Sequence, residues 1–122
     1  MRKTVIALML AAASQLAPAH GVATPSHGGM IRTDGETWVE LVIHGNAVEV
    51  YVQDDGDDMP TADMTGKIAL VKDGAKSEFP LKPAGGNKFE GKAAGLAAGT
   101  RVLTVLTLAD KKTTVSAAFD LK

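Results

Sequence analysis

Residues 38–52, with the sequence WVELVIHGNAVEVYV, decide the fold class of this chain. Apolar and polar residues alternate there with a period of two, which is typical of β-strands and not of helices. One face of the first strand is apolar, and the other carries Trp38, Glu40, Val42 and His44. Gly45 and Asn46 tolerate the positive φ angles that tight turns require. We therefore predict an antiparallel hairpin.

The same alternation continues to the end of the chain, with turn signals such as Asp73-Gly74 between the alternating segments. About seven strands are predicted, at the spacing typical of a β-sandwich or barrel. Pro80 cannot donate a ladder hydrogen bond, so its strand is expected at a sheet edge or near its own end. We predict an all-β fold, a single antiparallel β-sandwich of immunoglobulin-like type. A small closed barrel is the alternative, because strand number does not separate the two.

The N-terminus has the tripartite pattern of a secretory signal peptide. Arg2 and Lys3 precede an apolar run over residues 4–13, which is followed by the small-residue segment 17–19. The run is about ten residues long, short of the roughly 20 that cross a bilayer as a helix. We predict a cleaved signal peptide at 1–19, an N-terminal arm at 20–35 and a β-sandwich domain at 36–122. The mature chain is expected in the periplasm, without a membrane span.

Composition excludes several classes of function. The formal charge of the chain is −1, and it becomes −3 without the two basic leader residues, which argues against nucleic acid as a partner. The chain has no cysteine, so thiolate catalysis and thiolate metal ligation are excluded. No G-x-S-x-G, P-loop or H-E-x-x-H motif occurs. These patterns favour a binding protein over an enzyme.

The stretch 20–30, HGVATPSHGGM, offers candidate metal ligands. Cleavage after Ala19 would make His20 the first residue, and its α-amino group and imidazole together suit Cu(II). Cleavage after Gly21 or Ala23 would remove it. His27 precedes a glycine pair that bends freely, and Met30 adds a thioether suited to Cu(I). The alternative interpretation is an unstructured mature terminus in which the histidines are incidental.

His44 ends the first strong strand and could complete this site if the arm folds back across its face. The alternative is a solvated histidine at a strand end. Met59 and Met64 could present two thioethers, although methionine also fills gaps in cores. The acidic run at 54–58 lacks the glycine and glutamate positions of a calcium-binding EF-hand loop, so a solvated loop is expected there.

The HGG motif, the hairpin at 38–52, and the later segment PAGGNKFEGK together resemble a known family. They are similar to small periplasmic proteins that resemble the HGG-bearing N-terminal domain of adaptor subunits in heavy-metal efflux systems of the resistance–nodulation–division class. The resemblance covers residues 27–121. It implies a periplasmic β-sandwich-like domain associated with copper, zinc or related metals, and it points to His27, with His20 as an outlying ligand. Family members often carry a histidine after the second strand, where this chain has Asp54 and Asp55, which favours a weak or shared site.

The sequence thus predicts a metal-binding accessory or carrier protein, with copper, as Cu(I) or Cu(II), favoured over zinc. Its predicted metal ligands are His27, His20, Met30 and His44. An efflux-system adaptor or another periplasmic metal protein would be its partner. The alternative function is an immunoglobulin-like interaction module of the cell envelope in which the histidines have no metal role.

Overall fold

Residues 22–122 are described by a computed structural model, and they form antiparallel β-strands joined by short turns. The predicted signal peptide lies outside these residues. Within them, no helix has the length and apolar character needed to cross a bilayer. The strands are β1 (Met30–Asp34), β2 (Thr37–His44), β3 (Ala47–Asp54), β4 (Asp57–Asp58), β5 (Thr65–Lys72), β6 (Ala75–Pro83), β7 (Lys88–Lys92), β8 (Arg101–Thr107) and β9 (Thr114–Asp120).

The strands form one path in the order β1-β2-β3-β7-β6-β5-β8-β9, with β4 paired to β3. β6 joins the two halves, because it pairs with β5 as far as Leu81 and with β7 from Lys82. The end strands lie side by side, since the Ser116 amide donates to Asp34 Oδ2 at 2.9 Å. The all-β antiparallel prediction is confirmed. The path is a nearly closed barrel, so the immunoglobulin-like topology stays a prediction.

The hairpin at 38–52 forms in the predicted register. Val39 pairs with Val52, and Leu41 pairs with Val50, so both strands present their alternating apolar residues to the same side. Gly45 has a φ of 61° in the two-residue turn. A positive φ at the first central position is the geometry of a type II′ turn, which matches the right-handed twist of paired strands.

The sheet has nine strands, two more than the sequence predicts. β1 lies inside the predicted arm at 20–35, where MIRTD is too short to display alternation, and it forms because it pairs with β2. β4 lies in the acidic segment predicted as a loop. Asp55 and Gly56 both have positive φ angles there, which returns the chain onto β3 by a two-residue turn.

The core lies between the two halves of the sheet and is built from the inward faces of the strands. Its largest fully buried apolar side chains are Phe89, Phe119, Leu41, Ile68 and Leu106. Short aliphatic residues fill the rest, with Val39, Val48, Val50, Val52 and Val102 at 1% exposure or less. A domain without cysteine therefore depends on this packing for its stability.

β6 and β7 diverge at Pro80. Pro80 pairs with Lys67 of β5, and β7 pairs with β6 only from Lys82, so Pro80 lies where the ladder between β6 and β7 has ended and no ladder hydrogen bond to β7 is required of it. A groove of about 810 Å³ opens there, and His44 is among its lining residues. The position of Pro80 therefore agrees with the expectation of a sheet edge, since residues 75–81 of β6 pair with β5 alone.

Candidate functional site

The segment before β1 crosses the outer face of β2. Gly28 adopts a φ of 76°, a left-handed conformation that favours glycine, and this turns the chain toward the sheet. Gly29 then approaches β2 so closely that a Cβ atom would lie 2.3 Å from the carbonyl oxygen of Leu41. The two glycines of the HGG motif thus have separate structural roles, one in a turn and one in a close contact. We call residues 26–29 the docked arm.

Glu40 anchors the docked arm, although it is a charged residue on a strand and is only 3% exposed. Its Oε1 accepts hydrogen bonds from the Ser26 amide at 3.1 Å and from His27 Nδ1 at 3.0 Å. Its Oε2 accepts from the amides of His27 and Gly29, each at 2.9 Å. Every one of these donors belongs to the docked arm, so a single carboxylate holds it in place.

The hydrogen bonds to Glu40 also fix its charge. Burial alone would raise the pKa of this carboxyl, but the bonds from the His27 ring and from the amides of Gly29, His27 and Ser26 outweigh burial, and the pKa is lowered. Glu40 is therefore ionised at neutral pH. An ionised carboxylate only accepts hydrogen bonds, so His27 Nδ1 must be the donor.

This assignment determines which tautomer a neutral His27 ring adopts. In a neutral imidazole with its proton on Nδ1, Nε2 carries the free lone pair and can act as a metal ligand. Nε2 has no hydrogen-bond partner among residues 22–122, and the His27 side chain is 40% exposed. A histidine held by a carboxylate on one nitrogen and free on the other is the usual arrangement of a metal-binding histidine.

Tyr51 of β3 supports the His27 ring from beneath. The two rings are stacked, with centroids 3.5 Å apart and an interplanar angle of 6°. The Tyr51 hydroxyl donates to Glu49 Oε1 at 3.1 Å. Burial, followed by that hydrogen bond and the charge of Glu49, raises the pKa of Tyr51. Tyr51 is therefore a neutral platform that restricts the ring to one orientation.

His44 lies further along the same face, at the end of β2. Its Nε2 is 3.6 Å from Glu49 Oε1, and its side chain is 66% exposed. Glu49 also faces Lys88, whose Nζ lies 3.6 Å from Glu49 Oε2 and 3.1 Å from Glu90 Oε2. The structure therefore links the face around His27 to His44 only indirectly, through Tyr51 and Glu49.

The other predicted ligands are placed differently. Met30 pairs with Leu41 in β1 and packs against the core, so it faces the opposite side of the sheet from Glu40. His20 lies outside the described residues. Met64 belongs to the core and is 4% exposed, and Met59 is partly buried and packs against the core cluster. Across the described 101 residues, 22–122, no three His, Cys, Asp or Glu side chains converge as a metal-binding group.

Glu40 and Tyr51 are the two site residues that sequence reasoning does not single out. The available signal is a charged residue whose neighbours on the same strand face, Trp38 and Val42, are apolar. Such a position implies that something covers the face. Residues 26–29 meet the condition named for His44, that the arm folds back across this face, and the role of Glu40 as their anchor is new.

No protein-family model matches this chain, and neither a curated protein nor a solved structure matches it. The resemblance to the adaptor domains stays a prediction.

Proposed function

We propose that this protein binds a transition-metal ion through Nε2 of His27 and acts in the periplasm as an accessory or carrier in metal efflux or resistance. The observation that carries the proposal is the state of the His27 ring. Nδ1 is occupied by a buried carboxylate, the ring is stacked on Tyr51, and Nε2 is left free on an exposed side. Such a ligand is preorganised, since little conformational freedom is lost when a metal binds.

Copper is favoured over zinc on chemical grounds. Imidazole nitrogen suits both metals, but Cu(II) stands above Zn(II) in the affinity order for a given nitrogen site. The thioether of Met30 lies on the other face of the sheet, which makes a joint site of His27 and Met30 for Cu(I) the weaker form of the proposal.

One fixed imidazole leaves most coordination positions of the ion to other ligands. Water, the upstream arm that includes His20, or a partner protein would supply them. An ion held in this way exchanges ligands readily, which is the property a carrier needs and a permanent structural site does not. A neighbouring efflux adaptor or another periplasmic metal protein would be the recipient.

An interaction module is the alternative function, and strand addition is the common recognition mode of such folds. Edge strands β1 and β9 face each other, so neither is fully open. The free half of β6 carries Lys76, Glu78 and Pro80, residue types that discourage strand addition. These features favour the metal proposal.

The test compares His27→Asn with the wild-type protein. The Asn side-chain amide can still donate to Glu40, so the docked arm is kept while the Nε2 ligand is removed. Titration with Cu(II), Zn(II) and Cu(I), followed by calorimetry and NMR, should show binding to the wild-type protein and loss of it in the variant. His44→Asn, which removes a histidine outside the docked arm, is the matched control and should bind as the wild type does. A wild-type dissociation constant above about 0.1 mM, or an equal dissociation constant for His27→Asn, would refute the proposal.

A further inference from the structure

The carboxylate of Glu40 both orients the His27 ring and holds the backbone of the docked arm. Glu40 Oε1 accepts from the His27 ring, and it also accepts from the Ser26 amide. Glu40 Oε2 accepts only from backbone amides, those of His27 and Gly29. The orientation of the proposed ligand and the position of the arm backbone therefore depend on the same two oxygen atoms.

Resting on the proposed function, we infer that metal binding at His27 and docking of residues 26–29 are coupled through Glu40, so that the metal fastens the arm to the sheet. Glu40 is a positioning residue in this scheme, because it touches the ligand and not the metal. The docked state of residues 26–29 is then stabilised by the ion that His27 binds.

The chemistry of imidazole gives the coupling its direction. A metal ion on Nε2 withdraws electron density from the ring, which makes the Nδ1 proton more acidic and strengthens its hydrogen bond to the carboxylate. The carboxylate in turn raises the basicity of Nε2, which strengthens its bond to the metal. Each interaction therefore favours the other.

The backbone contacts extend this effect from the ring to the arm. When the arm lifts from the sheet, Glu40 loses the amides of Ser26 and Gly29 together with the ring. His27 then also leaves Tyr51 and has no fixed tautomer. The undocked arm is therefore a poorer metal ligand, and the apparent affinity falls in proportion to the docked fraction.

Thermodynamic linkage requires the coupling to be reciprocal. If docking raises metal affinity by some factor, the metal raises the docking equilibrium constant by the same factor. Loss of the outer partner of a metal-binding histidine typically lowers affinity about 10- to 100-fold. We expect a change of that size when Glu40 is replaced.

The experiment uses Zn(II), which is diamagnetic, on the wild-type protein, Glu40→Gln and Glu49→Gln. Glu49 lies on the same face and accepts from Tyr51, but the hydrogen bonds and ion pair of His27 within residues 22–122 go to Glu40 and not to Glu49, so Glu49→Gln is the matched control. Three quantities are measured: the Zn(II) affinity, the His27 tautomer by ¹⁵N NMR, and the exchange rates of the His27 and Gly29 amides with and without metal.

In the wild-type protein and in Glu49→Gln, neutral His27 should carry its proton on Nδ1, and Zn(II) should slow exchange of both amides. In Glu40→Gln the affinity should fall about 10- to 100-fold, the tautomer should become mixed, and Zn(II) should no longer slow exchange. The tautomer separates positioning from a merely structural role, because loss of general stability does not select one ring nitrogen.

Gly28→Ala provides a second route that leaves Glu40 and His27 intact. Gly28 has a positive φ, which would strain an alanine at this position. The new Cβ would meet no atom within 4 Å, so the strain is the only effect of the change. The arm should loosen, and metal affinity should fall by the same factor as docking.

The outcomes separate the two proposals. Suppose that the wild-type protein binds metal and His27→Asn does not. If the metal affinity of Glu40→Gln is then within about twofold of that of Glu49→Gln, and metal slows amide exchange equally in both, the coupling is refuted and the metal site stands. If the wild-type protein binds no metal, both are refuted.

Discussion

Glu40 bears a full charge at a position that is almost inaccessible to water. Burying a carboxylate is costly unless hydrogen bonds replace its hydration. Glu40 obtains them from the docked arm, and three of the four come from the residues flanking Gly28. The consequence at the scale of one residue is that Glu40 and the arm stabilise each other.

Replacing Glu40 by Gln is therefore expected to lower the free energy of unfolding of the metal-free protein by about 1–3 kcal/mol at pH 7, because the amide cannot accept on both sides. The effect should depend on pH. The pKa of Glu40 is lowered in the folded protein. Its contribution to the free energy of unfolding is therefore complete above its unfolded-state pKa of about 4.3, and it is lost as the pH falls through its folded-state pKa. Urea unfolding between pH 7 and pH 3 measures both effects.

The difference between wild type and Glu40→Gln should shrink as the pH falls through the lowered pKa of Glu40, because the carboxylate is then protonated in both the folded and the unfolded state. Glu78, Asp110 and Asp120 also have lowered pKa values, but they are common to both proteins and cancel in the difference. A constant difference down to pH 3 would contradict the assignment of Glu40 as the ionised anchor.

The two glycines of the docked arm should respond differently to alanine. In Gly28→Ala the cost is backbone strain, about 1–2 kcal/mol, because the site is open. In Gly29→Ala the new Cβ would meet the Leu41 carbonyl oxygen and the Val42 side chain. Since backbone must move, Gly29→Ala is expected to be the more destabilising and to expose Glu40.

Thermal unfolding gives the two stabilities, and amide exchange of residues 27–29 reports whether the arm remains docked. If the two variants are equally stable and equally protected, the close approach of Gly29 to β2 has no energetic role.

At the scale of the strands, β6 protects its own free edge. Among residues 22–122, its first half pairs with β5 on one side only. Lys76 and Glu78 are exposed there, and Pro80 removes a donor. The triple variant K76V/E78V/P80V should create a flat apolar edge that can pair with a second molecule. Self-association of the variant is measured by light scattering.

The control for this variant is K112V/D63V. It changes two exposed charged residues outside the strands and leaves the net charge unaltered. It should remain as dispersed as the wild type. Equal association of both variants would mean that surface hydrophobicity, and not strand pairing, is responsible.

Strands with strong alternation could be predicted from the sequence, and β1 and β4 could not. Residues 38–52 carry their pairing signal within a few positions of one another. β1 has only Met30 and Ile31 as apolar residues, and β4 has none, so their pairing is decided by the turns that precede or follow them.

The candidate site divides in the same way. Alternation places Glu40 on the outer face of its strand, and the HGG motif indicates His27. That these residues meet depends on the path of an irregular segment across a separation of 13 residues. No periodic signal encodes such a path, so the anchor became evident only in three dimensions.

At the scale of the whole molecule, the barrel nearly closes where β1 meets β9. Asp34 accepts from the Ser116 amide at 2.9 Å, and the Arg32 guanidinium lies 5.8 Å from the Phe119 ring centroid. These contacts form the seam.

Asp34→Ala should open the seam locally, with faster amide exchange at Ser116 and a loss of about 1 kcal/mol in unfolding free energy. Asp63→Ala, at an exposed position away from the seam, is the control and should change neither quantity. Unchanged Ser116 exchange in Asp34→Ala would show that the seam is held by other contacts.

The seam also has a consequence for the order of folding. Its hydrogen bond joins residues 82 positions apart, whereas the hairpin of β2 and β3 closes through a two-residue turn. Closing a long loop costs more chain entropy than closing a short one, and contacts of high sequence separation slow folding. The first and last strands are therefore expected to meet late, after the rate-limiting barrier. Substitutions at Asp34 or Arg32 should then accelerate unfolding while leaving the folding rate almost unchanged.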